Sequence, residues 1–375
     1  MRILQTASHV AHGSGRAQTT LHALARGYLA TGHSVVQVVP RPQDGRQRRD
    51  GADVITVRSS RIPGTQRRMI LSGRRMLELL DDIQPDRIEV SDRLTLQVVG
   101  RWARRHRVPT VAISHERLDV ALRRYVRSPR LARSVADFWN LRLAASFDTI
   151  VCATDWAGRE FERLGAPNVV RVPVGVDLTT FHPVHASPRL RRALGADGRL
   201  LLVVTDRLAP GQWPELAVET MLVLHRRGIA ARLIVAGRGP FHDAYRRRVG
   251  RLPVSFVGHV HEGSQLAQLL ATADIALAWG SVQSVGLAAL EALASGTPVV
   301  ARRGGALWEL VSDTSGAVAD ENGVAFADAV TQIMKVDAAQ RRAVARMHAE
   351  RFALRAMVDR MLTVHGAEPA RTAAA

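Results

Sequence analysis

Short loops that combine glycine with polar side chains follow several apolar runs, and such loops can bind an anion. The most informative one, residues 280–291, follows the run Ile275–Ala278 and reads GSVQSVGLAALE. If a helix begins near Gly286, the backbone amides of residues 285–287 point toward a phosphate, because the first amides of a helix have no acceptor inside it. Glu291 then lies one turn further along, where its carboxylate could accept hydrogen bonds from ribose hydroxyls or instead cap a neighbouring loop.

Two further loops carry groups that suit a diphosphate. Arg207 leaves the apolar run Leu200–Thr205, and its guanidinium can donate two parallel hydrogen bonds to a diphosphate or form an interdomain salt bridge. Gly237 follows the run Arg232–Ala236, where a sharp glycine turn either lines a ligand cleft or simply connects a strand to a helix. Both loops are candidates for the wall of an anion site.

The first apolar run, Ile3–Thr6, leads into a loop of small residues, HGSGR at 12–16. Small residues such as Gly15 let backbone amides approach an anion at a helix N-terminus. The loop lacks the G-x-G-x-x-G spacing of a dinucleotide site, which argues against a nicotinamide-dependent enzyme. His115 follows the run Thr110–Ile113, and a lone histidine in such a place is more often structural than functional.

These loops need a scaffold that presents them together, and the sequence predicts one. Apolar runs alternate with helical patterns such as 17–31, where apolar residues recur on one face. This alternation predicts parallel sheets with helices on both faces. Because ligands bind beyond the carboxyl ends of such strands, two facing sheets would form an interdomain cleft. The predicted strands are Ile3–Thr6, Val35–Val39, Val54–Val57, Arg87–Val90, Thr110–Ile113, Thr149–Cys152, Val169–Val172, Leu200–Thr205, Arg232–Ala236, Val254–Val257, Ile275–Ala278, Pro298–Ala301 and Gly316–Val318.

The alternation stops and begins again after residues 173–177, which predicts two doubly wound α/β domains. A length of 375 residues fits two domains of roughly 150 residues or more each. Pro173–Pro183 is the expected hinge, since two prolines and a glycine lie between the two series. The predicted parts are an N-terminal Rossmann-like domain at 1–175, a C-terminal Rossmann-like domain at 176–345, a C-terminal helix at 346–367 that packs back toward the N-terminal domain, and a frayed tail at 368–375.

Composition excludes several classes of protein. The chain has 52 Lys and Arg against 34 Asp and Glu, a formal charge of +18. Cys152 is the only cysteine, which excludes a disulfide framework and a metal site made of several thiolates. There is no run of about 18 apolar residues to span a bilayer. The first seven residues are too short and too polar for a signal peptide, so the cytoplasm is the expected location.

Arginine supplies almost all of the positive charge, since Lys335 is the only lysine. Codon usage in a GC-rich genome would produce the same bias. Two stretches stand out, 61–75 and 123–133; they are either solvated helix faces or a patch for anionic lipid head groups or acidic ligands. Interleaved aromatic residues, an RNP-like strand and a recognition helix are all missing from the sequence, so nucleic acid is not an expected partner.

Several segments, taken in this order, resemble one family of enzymes. They are EVSDRLTL at 89–96, ISHERLD at 113–119, VPVGVD at 172–177, FHP at 181–183 and GLAALE at 286–291. They are similar to retaining GT-B glycosyltransferases of family 4, and most similar to the actinobacterial α-mannosyltransferases that act on phosphatidylinositol mannosides. The resemblance covers nearly the whole chain and implies the GT-B fold.

The resemblance implies that a nucleotide-diphosphate sugar, here GDP-mannose, binds mainly to the C-terminal domain and an acceptor to the N-terminal domain. It implies hexose transfer with retention of configuration to a lipid-linked polyol or a polar secondary metabolite, without a metal or other cofactor. The positive charge fits peripheral contact with anionic lipid at the inner face of the plasma membrane, and codon usage explains the same charge equally well. The residues it assigns to catalysis are His115, Arg207, Gln212 and Gln283, and those it assigns to donor binding are Gly15, Arg16, Gly237, Val260, Ser284, Val285, Gly286, Leu287 and Glu291.

Three of those positions depart from the family pattern. Gln212 stands where the family has lysine, Gln283 where it has the first glutamate of E-x7-E, and Arg16 where it has a second glycine. The Arg16 guanidinium could supply the charge that Gln212 lacks, or could block the phosphate loop. The alternatives are a catalytically degenerate homologue that binds a nucleotide sugar or a partner protein, and an enzyme of this scaffold that makes a non-glycosidic bond.

Overall fold

The computed structural model describes residues 1–7, 9–11, 16–61, 67–69, 72–93, 95–123, 125–205, 208, 214–239, 242–260, 263–279 and 286–367. The chain divides into two compact units. Unit 1 comprises Met1–Gly175 and Leu354–Ala375, and unit 2 comprises Val176–Ala353.

Unit 1 is built on a sheet in which strands of widely separated sequence are neighbours. Its order is β11-β10-β9-β8-β1-β3-β5-β4, and every neighbouring pair is parallel except β4 with β5. A small antiparallel sheet has the order β2-β7-β6. The strands are β1 (Arg2–Ala7), β2 (His9–Ala11), β3 (Ser34–Arg41), β4 (Gly45–Arg49), β5 (Ala52–Arg58), β6 (Ser60–Arg61), β7 (Arg67–Met69), β8 (Arg87–Ser91), β9 (Thr110–Ser114), β10 (Thr149–Cys152) and β11 (Val169–Arg171).

Helices cover the large sheet of unit 1. All five residues of β9 are buried, as expected for a parallel strand with helices on both of its faces. Hydroxyl side chains cap the N-termini of several helices. Ser72, Ser128 and Thr154 each accept a hydrogen bond from a backbone amide of the first turn. The helices are α1 (Arg16–Ala30), α2 (Gly73–Ile83), α3 (Gln97–His106), α4 (Leu118–Leu122), α5 (Pro129–Ser146) and α6 (Asp155–Arg163).

Unit 2 contains a parallel sheet with the order β14-β13-β12-β15-β16-β17. Its strands are β12 (Leu200–Val204), β13 (Ala231–Ala236), β14 (Val254–Gly258), β15 (Ile275–Ala278), β16 (Val299–Arg302) and β17 (Gly316–Ala319). Its helices are α7 (Pro188–Ala193), α8 (Pro214–Arg226), α9 (His242–Arg248), α10 (Gly263–Thr272), α11 (Leu287–Ala294), α12 (Gly323–Met334) and α13 (Ala338–Glu350), with short 3-10 helices at Pro183–His185 and Leu307–Glu309.

The prediction of two parallel, doubly wound α/β sheets is confirmed, but the sequence did not indicate the antiparallel strands. The sequence GRQRR of β4 has no apolar residue, and the strand is fully exposed, so it carries no hydrophobic pattern. The arginine-rich stretch 61–75 is not a continuous helix face either. β7 occupies Arg67–Met69, and α2 begins only at Gly73.

The predicted single helix at 346–367 is wrong, because the chain there forms two helices in different units. α13 ends at Glu350, and the final helix, α14, spans Leu354–Val364 in unit 1. Between them, the carbonyl of Phe352 accepts a hydrogen bond from the Val176 amide at 2.8 Å. This hydrogen bond pairs the segment between α13 and α14 with the chain at Val176 in the manner of neighbouring strands. A continuous helix could not form it.

A buried polar cluster attaches α14 to the centre of the large sheet. Glu89 on β8 accepts hydrogen bonds from Gln5 at 2.8 Å and Tyr28 at 2.5 Å, and its carboxylate lies 2.7 Å from His365 Nε2. Burial, together with the nearby Glu89 carboxylate, raises the pKa of Tyr28 well above its usual value, so the phenol keeps its proton and donates it. Arg87 Nε also donates to the His365 carbonyl at 2.7 Å.

Cys152 ends β10 inside the core of unit 1. Burial raises the pKa of its thiol to about 11, so the thiol is neutral at physiological pH and fills space as a small apolar group. Among the described residues, no helix combines the length and the apolar character needed to cross a bilayer.

Candidate functional site

The sheet of unit 2 has a topological switch point between the neighbouring strands β12 and β15, where the direction of strand addition reverses. β13 and β14 lie on one side of this pair, and β16 and β17 lie on the other. Ligands of open α/β sheets bind at the carboxyl ends of the strands beside such a switch point. The two loops that leave this point contain the predicted residues Arg207, Gln212, Gln283, Ser284 and Val285, all of which lie outside the described residues.

The loop after β15 ends at the start of α11, as the sequence predicted. Gly286 has a positive φ of 79° and precedes the first helical residue, Leu287. A Cβ at this position would overlap Leu310 Cδ1, so the tight entry to the helix requires glycine. The Gly286 carbonyl accepts from the amides of Ala289 and Leu290, and the amides of Leu287 and Ala288 in the first turn have no acceptor within the helix. The start of α11 can therefore bind an anion.

The other end of α11 is fixed by a single arginine on α13. Arg346 Nη1 donates to the carbonyls of Ala294 at 2.9 Å, Phe181 at 2.8 Å and Leu178 at 3.1 Å. A cation at the C-terminus of a helix also complements the helix dipole. Glu291, which the sequence assigned to the site, lies on the same helix and is buried. The helix is therefore held at one end while its first turn faces the switch point.

Three loops at the carboxyl ends of β12, β13 and β14 are in close contact. The Leu208 amide donates to the Arg238 carbonyl at 3.2 Å, and a Cβ on Gly239 would overlap the Leu208 carbonyl oxygen. Gly258 has a φ of 76°, and a Cβ there would lie 3.3 Å from Arg238 Nε. The predicted residues Gly237 and Val260 belong to these loops: the first follows β13 and is buried, and the second follows β14 and is half-buried.

Unit 1 has a switch point of its own between β1 and β8. β3 continues the sheet on one side and β9 on the other. The loop after β1 includes Gly15, which lies outside the described residues. Arg16 is the first residue of α1, and its side chain also lies outside them, so the two roles considered for this guanidinium stay predictions.

His115 follows β9 immediately, at the carboxyl edge of the same sheet. Its side chain is half-buried, and Nε2 lies 3.5 Å from the hydroxyl of Ser91, the last residue of β8. This distance is at the long limit for a hydrogen bond, so the neighbouring hydroxyl restrains the ring only weakly. The position suits a side chain that must meet a ligand above the sheet.

Two buried charges that the sequence did not identify hold the loop around His115. The Arg93 guanidinium donates to the hydroxyl of Ser114 and to the carbonyl of Glu116, the residues on either side of the histidine. Its Nη1 lies 2.8 Å from Glu160 Oε2, and both side chains are buried. The backbone on both sides of His115 is therefore tied to a buried ion pair.

Glu160 also caps α4, the short helix that comes after the His115 loop. Its two carboxylate oxygens accept from the amides of Leu118 at 2.8 Å and Asp119 at 2.7 Å. Arg117 and Asp119 form a second ion pair with distances of 3.1 and 2.6 Å. Burial alone would raise the pKa of Asp119, but the hydrogen bonds and charge of Arg117 outweigh it and lower the pKa below its usual value. Asp119 is therefore charged at neutral pH.

No sequence pattern would have identified the Arg93–Glu160 pair. The two residues are 67 positions apart, and although Arg93 lies in the segment 89–96, nothing in that segment indicates Glu160 as its partner. Their burial depends on the packing of α6 against the sheet, which only the three-dimensional structure shows.

The chain matches family models over most of its length. Residues 17–175 match the Glycosyl transferase 4-like domain, and residues 199–335 match Glycosyl transferases group 1. The two matches fall in unit 1 and unit 2 respectively.

Curated relatives align with three quarters or more of the chain. The GDP-mannose-dependent alpha-(1-6)-phosphatidylinositol dimannoside mannosyltransferase of Mycobacterium tuberculosis (strain ATCC 25177 / H37Ra) is 40% identical over 368 residues, which is 98% of this chain and 96% of the relative. The GDP-mannose-dependent alpha-mannosyltransferase of Mycolicibacterium smegmatis is 29% identical over 75% of this chain and 74% of the relative.

Solved structures show the same fold at low sequence identity. Anabaena Alr3699/HepE in complex with UDP and glucose has a TM-score of 0.75 at 17% identity, with 98% of this chain and 99% of that chain covered. WaaG, a glycosyltransferase involved in lipopolysaccharide biosynthesis, has a TM-score of 0.68 at 15% identity, with 96% and 99% covered. The family matches, the full-length relative and the shared fold agree: the chain belongs to the group 1 glycosyltransferases and has the GT-B fold.

Proposed function

We propose that this glycosyltransferase moves mannose from GDP-mannose to a hydroxyl group of a lipid-linked polyol, with retention of configuration. The start of α11 at the switch point of unit 2 carries the proposal, because it offers a diphosphate a row of backbone amides. The donor and the acceptor class come from the 40% identical relative, whose name specifies GDP-mannose and a phosphatidylinositol dimannoside. A phosphatidylinositol mannoside is therefore the first acceptor to test.

On this proposal the leaving diphosphate is stabilised by the protein alone. The amides at the start of α11 and the guanidinium of Arg207 supply positive charge where negative charge develops. Glu291 binds the ribose, and Gln283 contacts the sugar hydroxyls in place of a carboxylate. The reaction then needs no metal ion and no further cofactor.

His115 is the residue of unit 1 that contacts the reacting sugar in this proposal. It lies at the carboxyl end of β9, half-buried, on a backbone fixed by Arg93. An imidazole can donate a hydrogen bond to a sugar hydroxyl or move a proton near neutral pH. The acceptor binds on the same unit, and the basic residues of 123–133 contact the anionic head groups of the lipid that carries it.

Isothermal titration with GDP, UDP, ADP and GDP-mannose tests the donor assignment. We expect GDP and GDP-mannose to bind, with UDP and ADP at least about tenfold weaker, the difference made by one or two lost base contacts. Slow hydrolysis of GDP-mannose in the same samples would show that the site is active. Absence of nucleotide binding would contradict the proposal and support a degenerate homologue.

Gly286→Ala should weaken GDP binding by about tenfold or more. An L residue at a φ of 79° is strained by roughly 1–2 kcal/mol, and its Cβ would overlap Leu310, so the first turn of α11 must shift away from the phosphate. Gly198→Ala is the matched control, since Gly198 has a φ of 66° but nothing within 4 Å of a Cβ. The control should lose only the part of the stability that the positive φ accounts for in thermal unfolding, and should bind GDP normally. Equal GDP affinity in both variants would show that the start of α11 does not bind the donor.

A further inference from the structure

Arg117 lies at the carboxyl edge of the large sheet of unit 1, close to His115. The two residues are two positions apart, and two residues of extended chain span at most about 7 Å. The Arg117 guanidinium carbon lies 5.3 Å from the centre of the Trp156 ring, and Trp156 is in the first turn of α6, just beyond β10. Because β9 and β10 are neighbours, the loops that carry these residues meet at one edge of the sheet.

Two of the three guanidinium nitrogens of Arg117 are used inside the protein. Nε donates to Asp119 Oδ1 at 3.1 Å, and Nη2 donates to Oδ2 at 2.6 Å. The Asp119 side chain is only 2% exposed, and the guanidinium lies over the Trp156 ring. The group is therefore held in one orientation before a ligand arrives, and an oriented donor loses little conformational entropy on binding.

The third nitrogen, Nη1, is available to a ligand. Among the described residues, none accepts a hydrogen bond from it, and the Arg117 side chain keeps 17% of its accessible surface. An N–H of a charged group forms a stronger hydrogen bond than a neutral donor does. Arg117 therefore offers a strong donor on the unit that binds the acceptor in the proposed function.

The charge of this ion pair favours a neutral ligand over an anion. The hydrogen bonds and charge of Arg117 lower the pKa of Asp119 below its usual value, so the two side chains have no net charge at neutral pH. The carboxylate weakens the attraction of the guanidinium for a phosphate. Sugar hydroxyls are neutral and accept hydrogen bonds, and a sugar ring can also pack on an aromatic side chain such as Trp156.

We infer that Arg117 determines which acceptor is used, by donating from Nη1 to hydroxyl groups of the sugar ring that receives the transferred hexose. The inference rests on the proposed function, which places the acceptor on unit 1, and it names the part of the acceptor that this unit recognises. Asp119 and Trp156 are positioning residues, since they act through Arg117. A site built to donate to a hydroxyl group discriminates strongly against a ligand that lacks it.

Transfer of mannose to a soluble acceptor tests the inference. Methyl α-mannoside has neither phosphate nor lipid, so it reports on sugar recognition alone. Arg117→Lys keeps a cation for Asp119 but loses the planar fork of donors. We expect the KM for methyl α-mannoside to rise by about tenfold to a hundredfold, the effect of losing one or two hydrogen bonds from a charged donor. The KM for a phosphatidylinositol mannoside in detergent micelles should rise by the same factor.

Two further variants separate this role from a structural one. Arg117→Gln combined with Asp119→Asn leaves no buried carboxylate without a cation, and should raise the acceptor KM as Arg117→Lys does. Arg163→Lys is the matched control, because Arg163 forms an ion pair with Asp137 in the same unit but is the last residue of α6. It should have the acceptor KM of the wild type. Thermal unfolding of each variant shows that the fold is retained.

Three kinetic results would overturn the inference. The first is an unchanged KM for methyl α-mannoside in Arg117→Lys. The second is a rise in KM for the phosphatidylinositol mannoside alone, which would assign Arg117 to the phosphate. The third is a fall in kcat with an unchanged acceptor KM, which would mean that Arg117 acts only through His115.

Saturation-transfer NMR of methyl α-mannoside separates this inference from the proposed function, because it measures acceptor binding without a donor. The wild type should show saturation of the sugar protons, and Arg117→Lys should lose most of it. If this difference is seen in a protein that binds no nucleotide, the proposed function fails while the acceptor site stands. If the wild type binds GDP but neither binds the glycoside nor transfers mannose to it, the inference fails and the donor assignment stands.

Discussion

Arg93→Met should lower the free energy of unfolding by about 3–5 kcal/mol, because it leaves the Glu160 carboxylate buried without its cation. The guanidinium and the carboxylate are 2.8 Å apart, and the Glu160 side chain is 0% exposed. The substitution also removes the donors to Ser114 and Glu116, so the backbone on both sides of His115 loses its restraint. We therefore expect catalytic turnover to fall in the fraction of protein that remains folded.

A double-mutant cycle separates the ion pair from the other contacts of each partner. Glu160→Gln removes the charge and keeps one acceptor oxygen, so one of the two amides, Leu118 or Asp119, loses its acceptor. The double variant should lose less stability than the sum of the two single variants, with a coupling of about 1–3 kcal/mol, because it contains no uncompensated buried charge. Urea unfolding followed by circular dichroism measures all four proteins. Additive losses, within about 0.5 kcal/mol, would show that the pair is not energetically coupled.

His115→Ala should lower kcat for sugar transfer by about 10²–10³, the range for loss of a hydrogen-bonding or proton-transferring group at a reacting centre. GDP affinity should stay within about threefold of the wild type, because the proposed function places the diphosphate on unit 2. Thermal unfolding of the variant shows separately how much of the stability depends on the half-buried ring.

Two variants control for the His115 result. Ser91→Ala, which removes the hydroxyl 3.5 Å from Nε2, should change kcat by less than about tenfold. His115→Gln keeps an N–H donor and should recover part of the loss if the imidazole acts by hydrogen bonding alone. If His115→Ala turned over donor at the wild-type rate, the histidine would be structural.

Much of the scaffold could be predicted because buried parallel strands carry an unambiguous pattern. β12 reads LLLVV and β9 reads TVAIS, and every residue of both is buried. Such runs, separated by helical periodicity, specify two parallel sheets and the edges where their loops meet. The start of α11 was predictable for a related reason: Gly286 stands between a strand and an apolar helix, where only a positive φ allows the turn.

The interactions that support the site could not be predicted, because they join residues distant in sequence. Arg93 and Glu160 lie on different elements, and so do Glu89 and His365, whose side chains meet 276 positions apart. Nothing local marks either pair, since Glu160 meets Arg93 only when α6 packs on the sheet, and His365 meets Glu89 only when α14 does. The break between α13 and α14 has the same origin: the Phe352 carbonyl is used by Val176, a contact that helix propensity does not encode.

Transfer of radiolabelled mannose from GDP-mannose to phosphatidylinositol mannoside in vesicles tests the central claim most directly. The account predicts that label moves to the lipid, that one GDP is released per mannose transferred, and that proton NMR of the product shows the new linkage in the α configuration of the donor. Arg93→Met and His115→Ala should reduce this transfer in the same assay. Product with inverted configuration, or efficient transfer from a UDP-sugar but not from GDP-mannose, would contradict it.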